Sequence, residues 1–146
     1  MKKILFIALF ATYLTLTGCA SSGPIILGNE KISQAEAFQK GLIRLDCVFT
    51  CSGKLGANLV EIDALLYARA WDELARRVMG IGYGGELTYY YLGRAAEGLN
   101  YLPAAKTYYQ LGLSAQAKCK VMGVSNCQGH NFPNDINKHL ADIEGK

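Results

Sequence analysis

The residues from Leu87 to Ser114, LTYYYLGRAAEGLNYLPAAKTYYQLGLS, constrain the fold of this 146-residue chain more than any other stretch. Leu87, Tyr91 and Ala95 recur at steps of four, and Tyr89, Leu92, Ala96 and Leu99 at steps of three and four. That is the period of a helix and not the alternation of a strand. The spacing predicts a helix over Leu87 to Leu99 and a second from near Pro103 to about Ala117. Asn100 punctuates the join, and Pro103 suits a first helical turn, where its missing N–H would be unpaired anyway. Gly93 falls mid-helix, where glycine costs about 1 kcal/mol relative to alanine. Its use there points to close approach by another backbone. Small residues on facing sides, Gly93, Ala96, Ala105 and Gly112, let the two helices meet, with tyrosines on the flanks.

The order aromatic, Leu-Gly, turn, Ala, aromatic, small residue resembles a tetratricopeptide repeat. Tyr89, Leu92-Gly93, Ala105, Tyr109 and Gly112 carry the likeness. Ala96 and Ala117 depart from it, standing where that family usually has Tyr and often has Pro. The resemblance implies an all-α fold, a short stack of antiparallel helical hairpins with capping helices. It also implies a role in binding rather than catalysis.

The N-terminus predicts an address. Met1-Lys2-Lys3 is followed by an apolar run from Ile4 to Leu16, too short for a comfortable membrane span of about 20 residues. A basic start, an apolar middle and small residues at the end form a secretory signal. Leu16-Thr17-Gly18-Cys19 resembles the lipobox of bacterial lipoproteins. That resemblance implies cleavage before Cys19, with a diacylglycerol and an N-acyl chain on the cysteine and no other cofactor. Several acyl chains anchor stably where one binds only marginally. Ala20, rather than Asp, after the cysteine implies the outer membrane, with the domain in the periplasm or carried to the cell surface. Residues 1–18 are thus expected to be the signal peptide, 19–32 a lipidated tether and 33–146 the helical domain.

Composition excludes one class of partner. Of 15 Lys and Arg, Lys2 and Lys3 leave with the signal, and the remainder face 12 Asp and Glu. A body so near neutrality has no basic field for nucleic acid.

In the first half of the domain, Ser33 and Glu36 fit a capping box for a helix from Gln34 to about Leu45. Residues 54–57 read as loop. Asn58 is expected to cap a helix to about Tyr67, and a third helix runs from Trp71 to about Ile81. Gly80, Gly82, Gly84 and Gly85 then link to the central hairpin. At an offset of about 30 residues this unit aligns with the central pair as a degenerate repeat: Leu59 falls on Tyr89, Asp63 on Gly93, Ala75 on Ala105 and Gly82 on Gly112. Asp63 in place of glycine predicts looser packing of the first pair. A last helix starts at Asn134 or Asp135 and places Ile136, Leu140 and Ile143 on one row, with His139 beside it.

Four cysteines follow Cys19, and an even number in an exported chain argues for disulfides. Local pairing, Cys47–Cys51 and Cys119–Cys127, is favoured over a cross-linked arrangement. The rival is a zinc site using these cysteines with His130, but their spacings fit no familiar finger. No nucleophile elbow or Cys-x-x-Cys is present, so no enzymatic activity is expected. Binding is expected on a strip formed by Tyr90, Arg94 and Glu97, continued on the preceding unit by Val60, Ala64 and Tyr67. A protein or peptide in the envelope would be its partner. The alternative is a structural or adhesion lipoprotein displayed outside the cell.

Overall fold

The computed structural model describes residues 25–27, 30–121 and 124–145. The chain is mostly helical. Its helices are α1 (Gln34–Gln39), α2 (Ser52–Tyr67), α3 (Trp71–Ile81), α4 (Glu86–Gly98), α5 (Leu102–Ser114) and α6 (Asn134–Glu144). Two short antiparallel hairpins accompany the helices, β1 (Ile25–Leu27) with β2 (Glu30–Ile32), and β3 (Lys120–Val121) with β4 (Val124–Ser125). The first lies in the expected tether, on either side of Gly28-Asn29, a turn-forming pair in the sequence.

α4 is the centre. It packs most extensively on α5 and next on α3, and α6 lies against α5. From Glu86 to Gly93 every residue is buried, as are Ala95 and Ala96. The tyrosines can be buried because each hydroxyl finds a partner, which removes the cost of an unpaired polar group. Tyr89 Oη accepts from Leu45 N at 2.8 Å. Tyr108 Oη donates to Phe38 O at 2.9 Å, Tyr91 Oη to Asp63 Oδ1 at 2.6 Å, and Tyr109 Oη to Glu97 Oε2 at 2.7 Å. Two of these bonds stitch α1 and its following loop to the central hairpin.

Three helix ends share one device. After α1, Gly41 N–H donates to Phe38 O and Leu42 N–H to Ala37 O, the paired bonds of a Schellman motif. Gly41 takes the left-handed conformation this needs, at φ 70°. Arg69 and Asn100 do the same after α2 and α4, at φ 55° and 63°. The motif at Gly41 ends α1 at Gln39, six residues before the expected Leu45. Ile43 and Leu45 are still buried, but from a segment without regular secondary structure. Ser33 Oγ accepts from Glu36 N at 3.1 Å as expected. The Glu36 carboxylate does not return to the cap; it pairs with Lys40 at 2.7 Å.

α2 begins at Ser52, so residues 54–57 are helix and not loop. Asn58 is interior and donates to Lys54 O at 2.7 Å. The overlooked signal is Leu55, which extends the row Leu59, Ile62, Leu66 by one turn and is buried. α5 ends at Ser114 rather than Ala117, because the Ala117 carbonyl accepts from Glu86 N at the start of α4. α6 takes Pro133 as its N-cap, with no side-chain capping bond. Asp135 instead accepts from Asn131 N at 2.9 Å.

The cysteines pair locally, Cys47–Cys51 and Cys119–Cys127. The zinc alternative is thereby overturned, since a half-cystine is no thiolate ligand.

Candidate functional site

Tyr90, Arg94 and Glu97 do share a stripe of α4, as steps of four and three require. The stripe is not open. Tyr90 is only 2% exposed, and the chain's own C-terminal segment covers it. The ring centroids of His130 and Phe132 lie 4.6 and 5.0 Å from that of Tyr90, and His139 lies 5.9 Å away. The physical reason is the amphipathic α6. Its Ile136 is fully buried and its Leu140 and Ile143 pack on the core. The face of α4 and α5 is where that row finds apolar cover.

Glu97 is the polar centre of the covered region. Its Oε2 accepts from Tyr109 Oη, lies 2.9 Å from His139 Nδ1 and 3.8 Å from Arg94 Nε. Arg94 Nη1 donates to Tyr90 Oη at 3.2 Å. The guanidinium carbon stands 5.9 Å from the Trp71 ring centroid and 6.0 Å from that of Tyr90, within the range of cation–π attraction. His130 Nδ1 is 3.6 Å from Asp135 Oδ2. The His139 ring stacks on Tyr109 at 5.5 Å.

Burial governs the proton equilibria here. It raises the hydroxyls of Tyr90 and Tyr109, and for Tyr109 the field and hydrogen bond of Glu97 add to it. It lowers both histidines. His130 is pushed down despite Asp135 and Asp63. His139 is pushed down by burial and then by Arg94, against Glu97 and Asp142. The cluster therefore sets His139 against a carboxylate already bound by the Tyr109 phenol, and His130 beside Asp135, with the protonated form of both rings disfavoured by burial. This is a clamp for the tail, and no activated nucleophile stands in it. Among the described residues no group of His, Cys, Asp and Glu is arranged to hold a metal ion.

Of the four residues expected to meet a partner, Tyr67 alone stands free, 78% exposed, with Val60 on the same helix at 85%. Arg94 and Glu97 are largely covered, their side chains 27% and 17% exposed. Sequence reasoning missed that His130, Phe132 and His139 converge on Tyr90. The signal available was the unmatched apolar row of α6. Cys19 lies outside the described residues. No helix among the described residues is long and apolar enough to cross a membrane. No family model matches this chain, and neither does any curated protein or solved structure.

Proposed function

We propose that this chain is an outer-membrane lipoprotein anchored through acylated Cys19, whose tetratricopeptide-like domain binds a protein or peptide partner in the periplasm. One observation carries the reading: all four cysteines beyond the lipobox-like Leu16-Thr17-Gly18-Cys19 are closed in local disulfides. Such pairing belongs to an oxidising compartment, which is where the leader would deliver the domain. The packing of α2 on α3 and of α4 on α5, each pair consecutive in the chain, supports the repeat-like assignment. α1 and α6 serve as its caps.

The partner surface lies on α2, at Val60, Ala64 and Tyr67. The strip at Tyr90, Arg94 and Glu97 is engaged by the chain itself and is not offered to a partner. Mass spectrometry of the envelope fraction tests the anchor: the mature N-terminus is an acylated Cys19, and Cys19→Ser abolishes acylation. A mature chain lacking Cys19 overturns it. A photo-crosslinker at position 67 tests the surface. A discrete adduct lost on Val60→Asp supports it, and no adduct in the envelope refutes it. Protease treatment of intact cells distinguishes the two sides of the membrane: a digested domain is surface-displayed, and a protected one faces the periplasm.

A further inference from the structure

A second region of α4 is open where the Tyr90 strip is closed. A cavity of about 450 Å³ lies between α2, the α3–α4 link, the first turn of α4 and the chain beyond α5. That is within the range of small-molecule sites. Leu55, Leu59 and Leu87 supply apolar wall, Gly56 lies on its α2 side, Ser52, Tyr83 and Asn126 add neutral polar groups, and Glu86 and Lys118 are its charged residues among those described.

Glu86 is 5% exposed. Its Oε1 lies 3.2 Å from Lys118 Nζ. Its Oε2 lies 3.6 Å from Cys119 Sγ, and a sulfur in the Cys119–Cys127 disulfide has no proton to donate. Lys118 directs its other protons to the end of α5, at 2.8 Å to Leu113 O and 3.4 Å to Gly112 O. Glu86, more than nine-tenths buried, thus lines a cavity walled on one side by leucines, and its Oε2 has no hydrogen-bond donor among the described residues. Buried acceptors in that state gain from any ligand that brings one.

The charges narrow the ligand. Glu86 and Lys118 already neutralise each other, so an added ammonium would be repelled by Lys118 and an added carboxylate by Glu86. We infer that the cavity binds a neutral small molecule with an apolar body and one hydrogen-bond donor, of the phenol or alcohol class. The O–H donates to Glu86 Oε2 and the body lies against Leu55, Leu59 and Leu87. This site is independent of where the chain is anchored and of what Tyr67 contacts.

The test is a methyl-resolved NMR titration of the full chain with 4-methylphenol, and with toluene and 4-methylbenzoate as controls. 4-Methylphenol shifts the methyls of Leu55, Leu59 and Leu87, toluene binds at least about tenfold more weakly, because a lost bond to a buried charged group is worth that much or more, and 4-methylbenzoate gives no shift. Gly56→Leu adds bulk beside the cavity at a position whose Cβ meets nothing within 4 Å. It abolishes the shifts and leaves the melting temperature unchanged or raised. Absence of methyl shifts with 4-methylphenol at millimolar concentration overturns the site, as do equal shifts in G56L. Toluene binding as well as 4-methylphenol overturns the role of Glu86, and this comparison needs no variant to fold.

Discussion

α2 and α4 are both glycine-bearing helices packed on α3, and their glycines have opposite surroundings. In α4 a Cβ at Gly93 would strike the Tyr109 ring, and one at Gly98 would strike Trp71. In α2 the same addition at Gly53 or Gly56 meets nothing within 4 Å. Gly93 is a socket for a ring, and Gly56 borders open space beside the cavity. The position of α2 that corresponds to Gly93 is Asp63, which accepts from Tyr91 Oη instead of admitting a ring. Two helices related by a sequence offset thus hold their neighbours by different means, one by steric fit and one by a hydrogen bond. Glycine in a helix records a close approach only when something fills the space it leaves.

This contrast is most strongly challenged at the rings themselves. Tyr109→Ala should cost about 3–5 kcal/mol in chemical denaturation, by loss of a large buried side chain and the cavity left behind. Tyr67→Ala on exposed α2 should stay within about 0.5 kcal/mol. Similar costs at the two sites would erase the distinction between a packed and an open helix.

Gly93→Ala comes next. Alanine favours helix by about 1 kcal/mol, yet the Tyr109 ring must shift, and overpacking of this kind costs about 1–3 kcal/mol. A net fall in melting temperature is expected, and a rise would show that the ring yields freely.

Acid should loosen the covered end of α4 and leave α2 unaffected. His130 and His139 are held below their ordinary 6.5, so the released tail takes up protons that the docked tail refuses. Docking is fully favoured above about pH 6.5 and weakens as the pH falls through that value. Hydrogen exchange of α6 amides, corrected for intrinsic rate, should accelerate between about pH 7.5 and 5.5. His139→Gln should flatten that slope, and an unchanged slope in this variant would exclude His139 from the effect.

The smallest effect is the most discriminating. Gly56→Ala should stabilise by about 0.5–1 kcal/mol, the helix propensity difference with nothing to oppose it. The same substitution thus changes sign between the two helices. Destabilisation at position 56 would mean that α2 is covered in solution.

Much of this was legible along the chain. The row Leu87, Tyr91, Ala95 and the punctuation by Asn100 and Pro103 marked both ends of α4 and the start of α5 to within a residue, because these stretches bury periodic apolar residues, whereas the end of α5 fell three residues short of the expected Ala117. Local pairing of the cysteines was legible because their short separations let the chain turn back on itself. Other features were hidden. Gly41 reads as one more glycine in a helical row until its left-handed turn ends α1. The start of α2 was masked by Gly53 and Gly56, whose helix-breaking character outweighed the apolar phase of Leu55. Tyr90 looked like a surface residue because its cover comes from His130, Phe132 and His139, some forty or more positions further on.

By itself the amino-acid sequence determined what is periodic or local: the helical phase of the central pair, the near-neutral charge of the domain, and cysteines close enough to join. Tertiary structure alone decided which faces stay wet. The tail closes over Tyr90, Arg94 and Glu97, whereas Tyr67 and the cavity beside Glu86 remain open. Exposure is a property of what packs above a residue, and periodicity along one helix carries no information about a segment arriving from elsewhere in the chain.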